Sequence, residues 1–299
     1  MATVVVRRQP ALLGPEEYAV VRMYELLSQY GMDTGWLAKA IFEPSLAALF
    51  VACLAHSLWT HGGLRTLREF VAGFVLTLLA ESTGVLSGAY VYPGFQVYVW
   101  ATPFVNPASW VALVYVLMEV SNRLVFGPRV IDPQRPGRSL PITPGGRFLV
   151  GGSLLKTLLI LALLDASLAL MIDLVLDPLA TIYNWWIWVP LLADQHTIPA
   201  GFVEAYNFDH HVWMQTPDNP IAALFGPAFE GGFRYPTRVL GIPLINFIAW
   251  LVFVFCYSMQ FRWVESQSQW SEGRKTGVLW LLMLVDWPIL AFLLITPNL

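Results

Sequence analysis

Six stretches of this chain are apolar over a length that can cross a bilayer as helix, since about 20 residues rising 1.5 Å each cover the ~30 Å hydrocarbon layer. They run from Ile41 to Trp59, Phe70 to Gly88, Val97 to Val120, Phe148 to Leu176, Ile242 to Phe261 and Val278 to Thr296. Only 12% of the 299 residues are charged and 57% are hydrophobic. An ordinary soluble domain is about a quarter charged, so a single water-soluble core is excluded. The expected fold is an all-α integral membrane protein with six transmembrane helices in a single domain over residues 41–299. The shorter apolar run Ile182 to Leu192, dense in Tyr183, Trp185, Trp186 and Trp188, reads either as an interfacial or re-entrant piece or as a crossing that raises the count to seven or eight.

Residues 1–40 form a separate N-terminal segment without the cationic head, apolar stretch and cleavage site of a signal peptide, so the internal spans are expected to direct insertion. Between Pro15 and Tyr30, Val20, Met23, Tyr24 and Leu27 share one helical face opposite Glu16, Glu17 and Arg22. That pattern fits an interfacial amphipathic helix and equally a folded cap. With six spans, loops 60–69, 121–147 and 262–277 share a side and hold ten of the basic residues, Arg262 among them, against six on the other side. The basic side is expected to be cytoplasmic, in the cytoplasmic membrane of a prokaryote. The long acidic connection lies opposite, with Asp194, Glu204, Asp209, Asp218 and Glu230.

Several function classes drop out. A net charge of -3 with no basic cluster gives no footprint for nucleic acid. Cys53 and Cys256 sit in apolar runs as small hydrophobes. The five histidines supply no i, i+4 pair within a span, and Asp209-His210-His211 alone makes a poor metal site, so no metal and no cofactor is expected.

The chain resembles itself. Tyr92-Pro93 followed by Pro103-Phe-Val-Asn106-Pro-Ala-Ser109-Trp110 matches Tyr235-Pro236 followed by Pro243-Leu-Ile-Asn246-Phe-Ile-Ala249-Trp250. Each copy opens a span, and each preceding span carries carboxylates: Glu81 in one, Asp165, Asp173 and Asp177 in the other. The units, about 70–126 and 148–265, each contain two crossings. They therefore share an orientation and are related by an axis along the membrane normal.

Carboxylates inside a bilayer are costly and are functional candidates by default. Glu81 lies in Leu-Leu-Ala-Glu-Ser-Thr-Gly, with Gly84 and Gly88 spaced to admit a neighbouring helix. Asp173 and Asp177 share one helix face, and Pro178 is expected to end that helix. Asp165, Asp286, Glu119 and Glu43 read as structural, as do Asn106 and Asn246, whose amides are expected to satisfy backbone groups freed by the prolines. Aromatic side chains exceed what an interface belt needs, among them Tyr90, Tyr92, Trp110, Trp186 and Trp250.

The order Glu81-Ser-Thr-Gly, Gly88-x-Tyr90-x-Tyr92-Pro, Pro103 to Trp110, Asp173-x-x-x-Asp177-Pro178 and Gly241-Ile-Pro243-Leu-Ile-Asn246-Phe-x-x-Trp250 resembles the membrane carotenoid-biosynthesis hydratase family, of the γ-carotene 1′-hydratase and bisanhydrobacterioruberin hydratase type, over residues 70–265. The resemblance implies a cofactor-independent lyase that adds water across the C1′,C2′ double bond of an acyclic carotenoid end group. Such chemistry needs an acid, a positioned water and a stabiliser for a tertiary cation. The matching residues are Asp173 or Asp177 as proton donor and Glu81 as base, with the two roles open to exchange, and Trp186, Tyr90 or Tyr92 near the cation. Asn106, Trp110, Asn246 and Trp250 complete the substrate-binding set. The chain departs from the family in an extramembrane insertion of about residues 193–240, which could cover the site or dock a protein partner. Two rival readings remain: a non-catalytic membrane subunit that binds a carotenoid or other isoprenoid, and a small-molecule transporter.

Overall fold

The apolar stretches fold as helices. The computed structural model describes residues 41–86, 89–92, 95–127, 150–182, 185–188, 238–240 and 242–295. The expected N-terminal interfacial helix, Tyr183, Tyr235, Asp209-His210-His211 and nearly all of the insertion lie outside the described residues. Among them are six helices: α1 (Glu43–His61), α2 (Gly63–Leu86), α3 (Val105–Phe126), α4 (Leu154–Ile182), α5 (Leu244–Ser266) and α6 (Glu272–Ile295). Four of these, α2, α3, α4 and α5, are long and apolar enough to cross a membrane. The described residues thus form an all-α fold with four candidate membrane spans. The other two expected spans, α1 and α6, are not among these four within the described residues.

The helix ends depart from the apolar runs where proline intervenes. Residues 97–104 are apolar but not helical. They form a hairpin in which β2 (Tyr98–Val99) pairs antiparallel with β3 (Thr102–Pro103). The second copy of the motif does the same, β5 (Arg238–Val239) pairing with β6 (Ile242–Pro243). Trp100 and Leu240, at the same place in the two hairpins, both take the left-handed backbone with φ 54. A third antiparallel pair, β1 (Tyr90–Val91) with β4 (Ile187–Trp188), joins the chain leaving α2 to the chain leaving α4. Pro178 does not end α4, which continues to Ile182. A proline within a helix removes one backbone donor, a loss that surrounding groups can absorb. Here the final turn is held by the Trp185 N–H donating to the Ala180 carbonyl at 2.8 Å.

Helices α2, α3, α4, α5 and α6 form a ring in which each packs on the next and α6 returns to α2, while α1 lies against α3 and α2. The core they share is aliphatic and aromatic, with Leu76, Leu117, Val254, Phe261 and Leu279 buried. Polar groups gather at the two ends of the ring. At one end, α1 meets α2 and α5 meets α6. There Arg68 donates from Nε to Glu265 at 2.7 Å and from Nη1 to Glu272 at 2.8 Å, and His61 pairs with Glu119 at 2.9 Å.

One turn or more inward from this end, Arg262 is buried rather than in a loop, so it does not belong with the loop cations. Its Nη2 lies 2.8 Å from Asp165 Oδ2 and donates to Ser121 Oγ at 2.8 Å, while Nη1 donates to Asn122 Oδ1. Asp165 thus finds its partner on α5, and the guanidinium ties α4 and α5 to α3. Removing one member of such a buried pair strands the other. The substitution Arg262→Met is therefore expected to destabilise the fold by about 3–5 kcal/mol, read as a lowered unfolding midpoint in detergent. Arg262→Met combined with Asp165→Leu should recover most of that loss, and a single variant as stable as the parent would refute the account.

Candidate functional site

At the other end of the ring the two halves of the chain bring their carboxylates together. Glu81 lies five residues before the end of α2. Three donors reach it: the Tyr90 and Tyr92 hydroxyls on Oε2 at 2.8 and 2.6 Å, and Trp110 Nε1 on Oε1 at 2.8 Å. Because an indole N–H can only donate, Oε1 must accept, and two phenols meet the other oxygen. Glu81 thus accepts from three donors on its two oxygens, an arrangement suited to an ionised carboxylate.

Local sequence explains how two tyrosines from one loop reach it. A Cβ at Gly84 would stand 2.2 Å from the Tyr90 hydroxyl oxygen and 2.4 Å from Cζ, so only glycine lets the Tyr90 ring fold back on α2. Gly84 therefore admits a tyrosine, not the neighbouring helix that the Gly84/Gly88 spacing predicts, and Gly88 lies outside the described residues. The loop is anchored from α1, where Glu43 accepts the backbone N–H of Gln96 at 2.9 Å and of Val97 at 3.1 Å. Tyr98 donates to the Tyr92 carbonyl.

The second half builds a parallel arrangement. Asp173 and Asp177 stand one turn apart on α4, and the single amide nitrogen of Asn246 donates to both, to Asp173 Oδ2 at 3.0 Å and to Asp177 Oδ2. Trp186 Nε1 donates to Asp177 Oδ1 at 2.7 Å. The expectation that the two asparagines serve freed backbone groups is corrected at both positions. Asn246 binds the acids, and Asn106 donates to the Tyr92 hydroxyl beside Glu81. Trp110 and Trp250, the last residues of the two motif copies, lie against each other with centroids 3.7 Å apart and planes at 32°.

Glu81 and Asp177 line one cavity of about 70 Å³, together with Tyr90, Tyr92, Trp110, Trp186, Trp250 and both asparagines. Every residue that the sequence reading assigns to the site is there except Asp173. That carboxyl is buried behind the Asn246 amide, and its Oδ1 has no hydrogen-bond partner among the described residues. The sequence reading missed Thr77, Ala80, Ala249, Phe253 and Leu290. Four of them carry a signal in hindsight: Thr77 is one helical turn before Glu81, Ala80 its neighbour, and Ala249 and Phe253 follow Asn246 on the same face. Leu290 on α6 carries none.

The other acids read as structural have their own partners: Glu43 the loop amides, Glu119 His61, Asp165 Arg262, and Asp286 the Gln260 amide at 2.9 Å. Among the described residues no group of three or more His, Cys, Asp and Glu is placed to hold a metal ion. The cavity can hold a small group between an acid-rich wall and aromatic faces, with hydrogen-bonding groups from both halves pointing at it.

Compared with known protein families, with curated proteins and with solved structures, the chain matches none.

Dependence of the site on Gly84 can be measured. Gly84→Ala should lower the denaturation midpoint in detergent, because the methyl group and the Tyr90 ring claim the same space. In a Tyr90→Ala background the same change should be nearly neutral, and simple additivity would show that the ring does not rest on Gly84.

Proposed function

We propose that the chain is a carotenoid hydratase acting within the bilayer: it adds water to the terminal double bond of an acyclic carotenoid end group. The observation that carries this reading is the shared cavity, where carboxylates from two halves of the chain face one aromatic-walled space. Olefin hydration needs an acid and a base on opposite sides of a carbon pair, and an apolar surround that a hydrocarbon will enter. The order of the site residues, which resembles the carotenoid-hydratase pattern, also supports it.

In the proposed cycle Asp177 is the acid. The pair Asp173 and Asp177, held by one amide, keeps a proton between them because two adjacent carboxylates out of water resist carrying two charges. Asp177 gives that proton to C2′ of the alkene, and the tertiary cation forms at C1′. Aromatic faces from Tyr92, Trp186 and Trp110 stabilise it by their quadrupoles. Glu81, ionised among its three donors, takes a proton from the incoming water as the oxygen bonds to C1′. Return of that proton from Glu81 to Asp177 across the cavity resets the site. Atoms balance as alkene plus water to tertiary alcohol.

In this reading α1 and α6 also cross the membrane. Large side chains on both face outward, Val51 and Trp59 on α1 and Leu281 and Leu284 on α6. The end carrying Arg65 and Arg68 lies in the cytoplasm and the acid cavity near the opposite face. The two halves are a duplicated unit related by an axis along the membrane normal. Matched hairpins, matched left-handed residues and facing tryptophans support that relation. A second reading, a subunit that binds the isoprenoid without reacting, is favoured by one observation: every oxygen of Glu81 is already tied to a neighbour.

Expression in a host that accumulates lycopene or γ-carotene, with mass analysis of the pigments, tests the proposal. The parent chain should yield product heavier by one water. Glu81→Gln and Asp177→Asn should each reduce it by at least ~100-fold, the range expected for a lost general acid or base. Asp173→Asn should reduce it less, since that carboxyl is off the cavity wall. Pigment that copurifies without ever gaining water would decide for the binding subunit.

A further inference from the structure

A second cavity, of about 180 Å³, adjoins the acid cavity on the far side of the tryptophan pair. Its floor is α3, where Val105, Ser109 and Leu113 recur at helical spacing. Its walls are Leu46 and Leu49 on α1 and Ile172 and Leu176 on α4. Helix α1 packs on α3 and α2 but makes no comparable packing with α4, which leaves this gap. Among the described residues no charged side chain lines it. Leu49 and Ile172 are 40% and 38% exposed, so with a bilayer around the protein the gap opens sideways into hydrocarbon. Phe42, which also lines it, stacks on Trp185 with centroids 3.6 Å apart.

Five residues line both cavities: Tyr92, Asn106, Trp110, Trp186 and Trp250. The two spaces are also counterparts. Asn106, Ser109, Trp110 and Leu113 face the larger one, while Asn246, Ala249, Trp250 and Phe253, the same positions in the second motif copy, face the acid cavity. The same face of two repeated helices thus serves two purposes. In the α5 copy the bulkier Phe253 narrows the space and acids line it. In the α3 copy Leu113 leaves it wide and no acid enters.

Resting on the hydration reading for the chain's identity, we infer that the α1–α3–α4 groove seats the linear polyene of the substrate, whose end group passes between Tyr92, Trp110 and Trp186 into the acid cavity. From Val105 to Leu113 the floor runs about 12 Å at 1.5 Å per residue, so it holds the segment next to the reacting end and leaves the remainder of the chain in lipid. A phospholipid acyl chain is the competing occupant, which the test below separates from the polyene. Ser109 and Ile172 then become determinants of which chains enter.

Filling the groove tests this. Ser109→Trp and Ile172→Trp are compared with the parent and with Leu163→Trp, whose parent side chain is 57% exposed on α4 and outside the groove. Each full-length chain is purified from a lycopene-accumulating host, its unfolding midpoint is measured, and the lycopene retained per protein is quantified. Both groove variants should retain at least tenfold less lycopene than the Leu163→Trp control. They should also shift kcat/KM at least tenfold away from lycopene toward a ten-carbon surrogate bearing the same terminal alkene. If Ser109→Trp does not fold, Ile172→Trp, at the exposed wall, carries the test. Retention equal to the control in a folded groove variant overturns the inference, as does a parent chain that retains phospholipid and no lycopene. Retention that depends on the groove, without hydrated product, would defeat the hydration reading and leave the groove standing. Hydration indifferent to the tryptophans would do the reverse.

Discussion

A carboxylate withdrawn from water must meet donors or a cation, or keep its proton, and this chain buries carboxylates at both ends of one helical ring. Apart from Glu69, neither of whose oxygens has a hydrogen-bond partner among the described residues, how each is satisfied organises the rest of the structure. At one end the answer is charge: Arg262 on Asp165 and Arg68 on Glu265, with the exposed Glu272 as a further partner of Arg68, tie together helices distant in sequence. At the other end no arginine or lysine takes part among the described residues. Neutral donors surround Glu81, and a single amide spans Asp173 and Asp177. The first arrangement holds helices in place. The second leaves chemistry available, because neutral donors orient an acid without permanently cancelling its charge.

The acid end depends on scaffolding some distance away. Glu43 on α1 grips the loop that delivers Tyr92, and Gly84 leaves the room that Tyr90 occupies. The β1–β4 pairing carries Trp186 toward the same cavity. The connections leaving α2 and α4 therefore supply Tyr90, Tyr92 and Trp186 to the aromatic walls, and the helices supply Trp110, Trp250, the acids and the asparagines. Small displacements in any of these would move donors relative to the buried carboxylates they satisfy.

Much of the membrane-embedded region could be read from residue order. Apolar runs placed all six helices, and hairpins replaced helix only where Pro103 and Pro243 stand. The P-x-x-N-x-x-[SA]-W motif marked positions that prove to have matching backbone geometry, down to a left-handed residue in each hairpin. Glu81 and Asp177 stood out because bilayer carboxylates are rare and costly. Asp173 could not be separated from Asp177 by spacing alone, since residues four apart share a helix face. Only the position of Asn246, donated from another helix, puts one on the cavity and the other behind it. Pro178 misled for a related reason: its rule describes the local backbone, and the Trp185 amide that holds the last turn comes from beyond the helix.

Residue order alone determined that this chain forms apolar helices, that its halves share a motif, and which acids are out of water, because length, hydropathy and spacing are properties of a single segment. Tertiary structure decided that Arg262 leaves the loops for Asp165, that Trp110 meets Trp250, and that a gap opens between α1 and α4. Those outcomes depend on how side chains from separate helices divide a common space and each other's hydrogen bonds, and no single segment carries that information.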